Sequence, residues 1–327
     1  MTIVQATERW SPGSSWTTAR RLVSKFALAL LIVVVLVIAG LTTPGFAETT
    51  NYRAILINTA IVGIAAVGMT AVTLSGNFFS LGIGPTVVMA GILFLALSGR
   101  TGSIALAMVA TVVIICLLGL VQALIVAGGL NPIITTLAFG TIVYGLLAVG
   151  TGGEVVTAGS IPVTSLATSD VFGLPMPVVA FVALTILASV LTERTVLGRR
   201  LRLVGQSRET GRISGISVLV TTIAAFLSMS VGAALAGIFS AAQLRQMQAN
   251  DLPNLTMDVI AAVLVGGAAV SGGDASPIRS ALGALLLAIL SNIMLLQGFA
   301  PGVRVFGVGL ITVVLVVSLH MIRRAGR

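Results

Sequence analysis

Ten apolar runs follow one another along the chain, separated by short segments where glycine, proline and charged residues collect. They lie at 26–41, 54–74, 84–97, 103–127, 132–150, 177–192, 216–242, 257–270, 278–297 and 303–322. A helix needs about 20 residues to span the hydrocarbon core of a bilayer, with a lower limit near 17. The pattern predicts an all-α polytopic membrane protein of about ten transmembrane helices. The third and eighth runs, 84–97 and 257–270, are the shortest, and these two helices are expected to be short or broken.

Glycine and proline gather beside those two runs, in SGNFFSLGIGP (Ser75 to Pro85) and VGGAAVSGGDASP (Val265 to Pro277). Unwound backbone at membrane depth is tolerated only where it is buried in protein or lines a wet cavity. In transporters, paired interruptions of this kind mark the pathway. The same glycines would also serve close helix packing, and spacing alone favours neither role.

Composition agrees with the hydropathy pattern. Hydrophobic residues make up 57% of the 327 positions and charged residues only 8%, against about 25% charged in soluble domains. The net charge of +9 does not point to nucleic acid, because the arginines sit at the termini and in one loop, with no basic stripe and no interleaved aromatics.

The charges do set topology. Cytoplasmic loops carry the excess of Lys and Arg, which puts Arg9, Arg20, Arg21 and Lys25 inside, together with Arg323, Arg324 and Arg327. The stretch RTVLGRRLRLVGQSRETGR, Arg194 to Arg212, holds six arginines and belongs on the same side. Six crossings carry the chain from an inside N-terminus to that loop, and four more return the C-terminus inside. Arg53, Arg100, Arg245 and Arg304 then fall outside, as does the segment Thr151 to Met176, with Glu154, Asp170 and no basic residue. The resulting organisation is a cytoplasmic segment 1–25, one transmembrane domain 26–322 with a cytoplasmic loop at 193–215, and a cytoplasmic tail 323–327.

Within the basic loop, Leu197, Leu201 and Val204 recur at i, i+4 and i+7, the period of an amphipathic helix. Gly198 and Gly205 flank it, and Arg199, Arg200 and Arg202 edge the apolar ridge. Such a knob is expected to seat in a groove on a partner protein.

Chemistry of its own is missing from the chain. Lys25 is the only lysine and no glycine-rich loop precedes it, so there is no P-loop. Cys116 and His320 are single, and no cluster of metal ligands exists; no catalytic residue is predicted. All nine acids lie in loops or at the edges of runs, Asp258 deepest, whereas proton-coupled carriers place ionisable groups within their spans. What remains is a pore-forming body, either a passive channel or facilitator for small polar solutes or one driven by another polypeptide.

Three motifs bring a family into view. LTMDVIAAVLVGGAAVSGGDASPIRSALGALLLAILSNIMLLQG (Leu255 to Gly298) resembles the C-terminal signature of ribose-type ABC sugar permeases. The basic loop matches that family's cytoplasmic stretch through Thr195, Gly198, Arg199, Gly205, Ser214, Gly215 and Ile216, and NPIITTLAFG (Asn131 to Gly140) resembles its Asn-Pro motif. One departure is Ser80, which stands where the family's G-G-I-D-L-S-V-G pattern has an aspartate.

The resemblance implies a type II ABC-importer-like fold in the bacterial inner (plasma) membrane, with both termini cytoplasmic. It implies three protein partners: an ABC ATPase subunit, a periplasmic or lipid-anchored solute-binding protein, and a second permease subunit in a homodimer or heterodimer. ATP and Mg would be used by the ATPase, with no cofactor bound by this chain. Leu197, Gly198, Arg199, Arg200, Leu201, Arg202, Val204 and Gly205 would couple to that ATPase. The implied cargo is a monosaccharide or sugar-like polyol, for which Asn77, Ser80, Asn131, Thr135, Gly266, Gly267 and Asn292 are the candidate pathway positions. Each of the polar ones could equally satisfy helix backbone or pack between helices.

Overall fold

The computed structural model describes residues 14–324 apart from 160 and 172, and side chains from 28 to 318 with the same exceptions. Arg9 and Arg327, and the side chains of Arg20, Arg21, Lys25, His320, Arg323 and Arg324, lie outside that description.

The helices are α1 (Ser14–Thr42), α2 (Thr49–Leu74), α3 (Ile83–Thr101), α4 (Ile104–Ala127), α5 (Pro132–Thr151), α6 (Ser165–Thr168), α7 (Met176–Arg194), α8 (Val196–Gln206), α9 (Arg208–Ile213), α10 (Val218–Leu244), α11 (Leu255–Val265), α12 (Pro277–Leu296) and α13 (Pro301–Arg324). Four two-residue strands accompany them: β1 (Val156–Thr157), β2 (Asp170–Val171), β3 (Leu174–Pro175) and β4 (Gln246–Met247). Eight helices are long and apolar enough to cross a membrane; the described part of α1 and helix α11 are shorter apolar helices. Each of the ten apolar runs therefore holds one helix.

Local chemistry sets the boundaries. Asn131 caps α5 by accepting from the Ile133 amide at 2.9 Å, with Pro132 in the first turn. The third run is not short, contrary to expectation. Helix α3 continues through Gly99 and Arg100 to Thr101, nineteen residues in all, and closes on Gly102 in the left-handed conformation that glycine adopts without steric cost. The eighth run is short as expected, since α11 has eleven residues, about 16 Å of helix.

Helices α2 and α10 form the centre, buried along most of their length. Small residues let the backbones meet, as expected where lipid supplies no hydrophobic drive between helices. A Cβ on Gly68 or on Gly232 would stand 3.0 Å from the other's Cα, and one on Gly237 of α10 would stand 2.3 Å from the Val87 carbonyl of α3. Around this pair stand α3, α4, α11 and α12. The Thr70 hydroxyl of α2 donates to Ser280 of α12 at 2.9 Å.

The bundle has two ends. At the basic end, Gly273 N donates to the Leu74 carbonyl at 3.2 Å, joining segment 266–276 to the end of α2 beside α8. At the other end, Arg53 pairs with Asp170, both exposed, and β2 pairs with β3.

Segment 245–254 does not stay at that second end. It turns into the bundle: β4 pairs antiparallel with β1, Val156 opposite Met247. The Met247 side chain is fully buried, and its sulfur lies 2.2 Å from where a Cβ on Gly91, midway along α3, would stand. Further on, the Gly84 amide donates to the Thr256 hydroxyl at 3.1 Å, so α11 begins level with the start of α3. An extended segment and a short helix together make the eighth crossing.

Candidate functional site

The basic loop folds into α8 and α9, started by Thr195 and Ser207, whose hydroxyls accept from Gly198 N and Thr210 N. Helix α8 is amphipathic as expected, but its apolar ridge is turned the other way. Leu201 and Val204 are each only 2% exposed, and Leu197 packs half-buried against the main core. The ridge anchors the helix to its own chain. Periodicity identifies which residues share a face and leaves open what that face meets. The outward side carries Val196, Arg199, Arg200, Leu203 and Gln206, with Arg202 half-buried.

Gly198 and Gly205 lie within α8, and each permits a backbone contact. A Cβ on Gly198 would stand 2.0 Å from the Thr192 carbonyl at the end of α7. One on Gly205 would stand 2.0 Å from the Leu74 carbonyl and 2.8 Å from the Gly273 amide. Gly272, at φ +87°, would place a Cβ 2.5 Å from the Cα of Gly76, and Gly76 itself has φ +76°. The backbones of α8 and of both interrupted segments, 75–82 and 266–276, thus meet at one point. Arg208 tightens it by donating to Asn77 Oδ1 at 2.5 Å, while Asn77 Nδ2 donates to Ser75 Oγ at 2.8 Å. Contacts between backbones have no rotamers through which to yield. Beside them an open cleft of about 450 Å³ is lined by Gly129, Arg208, Arg212 and Ser217.

The candidate pathway residues do not converge. Asn77 belongs to this junction. Ser80 and Thr135 are buried with hydroxyls that have no partner among the described residues, and the neighbouring Thr136 hydroxyl accepts from Leu81 N at 3.2 Å. Asn131 is the exposed cap of α5. Gly266 ends α11 where a Cβ would stand 2.6 Å from the Arg279 carbonyl, and Gly267 follows at φ +78°. Asn292 exchanges amide bonds of 2.7 and 3.0 Å with Asn51, near the opposite end.

Residues 51–319, from α2 into α13, match the family model described as branched-chain amino acid transport system / permease component. The chain belongs to this permease family. It is 27% identical over 328 residues to the L-arabinose transport system permease protein AraH of Escherichia coli (strain K12), covering 100% of this chain and 99% of that one. It is 31% identical over 286 residues to the autoinducer 2 import system permease protein LsrD of Yersinia pseudotuberculosis serotype O:1b, 84% of each chain. Over 310 residues it is 27% identical to the ribose import permease protein RbsC of Haemophilus influenzae, covering 93% and 95%. The family and the membrane-spanning helices together make this a multi-pass membrane permease.

A second polar surface has no counterpart among the sequence-predicted site residues. Segment 248–258, QANDLPNLTMD, was expected to divide between an outer loop and a spanning run. Folded, it leaves Asn250, Asn254 and Met257 exposed, and the Tyr144 hydroxyl of α5 donates to Asn250 Oδ1 at 3.0 Å. Leu252 at its centre has φ +58°, uncommon for a side chain of that bulk. The available signal was the density of amides and acids between two apolar runs, more than a simple turn requires.

Proposed function

We propose that this permease is the membrane-spanning subunit of an ATP-binding cassette importer for a monosaccharide or sugar-like polyol. The observation that carries the reading is the family match across nearly the whole membrane region, joined to relatives named for L-arabinose and ribose transport. A solute-binding protein delivers the cargo on one side, and two permease subunits, identical or different, form the passage. An ATPase subunit hydrolyses ATP on the other side. The basic end is the cytoplasmic one in this reading, on the positive-inside bias, in the inner membrane with both termini inside.

The outward face of α8, with Arg199, Arg200 and Leu203, takes the ATPase, and the glycine junction behind it carries the stroke to segments 75–82 and 266–276. Leu201 and Val204 support that face from within. Reversing Arg199 and Arg200 to Glu should abolish co-purification of the ATPase while leaving the thermal unfolding of the permease unchanged. Retained co-purification would return α8 to a topological role. The importer reading as a whole is tested by ATP hydrolysis that rises when loaded binding protein is added to the reconstituted complex. Solute flux through the isolated chain in liposomes, without ATP, would overturn it in favour of a facilitator.

A further inference from the structure

Three side chains stand out because lipid could not satisfy them. Tyr144 lies within α5, about 10 Å of helix before its end at Thr151, and its hydroxyl is bonded to an exposed asparagine rather than to the bundle interior. Asn250 uses its Oδ1 for that bond, and its Nδ2 has no partner among the described residues. Asn254 stands at the N-cap of α11, yet its side chain makes no capping bond and is exposed. The depth of the segment is fixed by buried Met247 against the middle of α3 and by Thr256 against the start of that helix. Polar groups left unpaired in hydrocarbon are strongly unfavourable, so non-helical backbone and free amides at this depth must meet protein or water.

We infer that Tyr144, Asn250 and Asn254 line the water-filled passage and hydrogen-bond an uncharged, polyhydroxylated cargo. The identity of that cargo rests on the importer reading above; the placement of the passage does not. The chemistry suits a sugar. A carboxamide offers a donor and an acceptor side by side and a phenol offers one of each, the complement of neighbouring hydroxyls that both donate and accept. Met257 supplies an exposed apolar surface for the C–H face of a ring. The charged side chains in this stretch, Asp251 and Asp258, are both acidic, which disfavours an anionic solute. Leu252, in its left-handed conformation, holds the segment in the turn that sets Asn250 and Asn254 on the uncovered side, and strain of that kind concentrates where a site needs it.

The test has two arms. In full-length permease with Cys116→Ala, the single variants Asn250→Cys and Asn254→Cys should react with a charged, membrane-impermeant methanethiosulfonate, and Val113→Cys on the outward face of α4 should not. Silence at both 250 and 254 would overturn the inference, whether lipid or a dry subunit contact covers them. In cells making the whole transporter, uptake of radiolabelled L-arabinose and D-ribose is compared at matched membrane levels. Tyr144→Phe, Asn250→Ala and Asn254→Ala should each lower uptake of the sugar that the wild type imports, by about tenfold for one lost hydrogen bond. Wild-type import with all three variants unimpaired would also overturn the inference. Reactive thiols with import of neither sugar would instead overturn the sugar reading while the passage stands.

Discussion

Two uncovered surfaces of this permease differ in their chemistry. Along α4 the exposed large side chains are Leu106, Val109, Val113, Leu117, Val121, Leu124 and Ile125, all aliphatic, while Thr111 and Gln122 are buried. Segment 248–258 instead exposes Asn250 and Asn254 beside the exposed Tyr144 of α5, whose other exposed large side chains, Ile134, Ile142 and Leu146 among them, are aliphatic. A helix facing lipid turns its polar groups inward because hydrocarbon cannot bond them. A surface that keeps amides outward is wet or awaits a partner. Exposure by itself thus says little in a membrane protein, and the polarity of the exposed set identifies its neighbour.

The same charge placed on each surface should have the most unequal effects. Val113→Asp puts a carboxylate at the middle of α4, at a cost of about 2.5–3.5 kcal/mol. The folded fraction recovered by size-exclusion chromatography should collapse. Asn250→Asp should leave that fraction near wild type, and equal losses would mean the second surface is as dry as the first. A smaller effect is expected from behind the polar surface. Gly91→Ala places a Cβ 2.2 Å from the Met247 sulfur, and overpacking of this kind costs about 1–3 kcal/mol. Thermal unfolding should move down, and the Asn250→Cys labelling rate should change with it as β4 shifts.

Gly145, on the outer side of α5, has open space around its Cβ position. Gly145→Ala should therefore stabilise the isolated chain, by about 0.5–1 kcal/mol from the loss of glycine's backbone freedom in a helix. A clear loss in the assembled transporter alone would show that a second subunit packs closely there. The least effect belongs to Arg53→Ala. Its ion pair with Asp170 is exposed on both sides, worth at most about 1 kcal/mol, and unfolding at raised salt should already mask it.

Much of this was legible along the chain. The ten apolar runs each hold a helix, Gly102 and Gly152 close helices in the left-handed conformation, and Asn131, Ser103 and Ser217 cap the next ones. These are properties of a few neighbouring residues, which is why a linear reading finds them. The length of α3 is harder to read, because Gly99 and Arg100 look like a terminator, yet a helix tolerates both when a better cap, Gly102, stands two residues on.

The hydropathy and motif patterns were enough for a multi-pass helical bundle, its ten apolar helices, the amphipathic character of α8 and the permease family. Packing of distant helices is what turns Leu201 and Val204 inward, pairs Asn77 with Arg208 and pairs Asn292 with Asn51. It alone carried 245–254 into the bundle beside Tyr144. Periodicity and capping act within a few turns of chain, whereas burial and partnership depend on residues far apart in sequence, 131 positions for Arg208 with Asn77 and 106 for Tyr144 with Asn250. No local pattern contains that information, because it comes into being only when the helices pack.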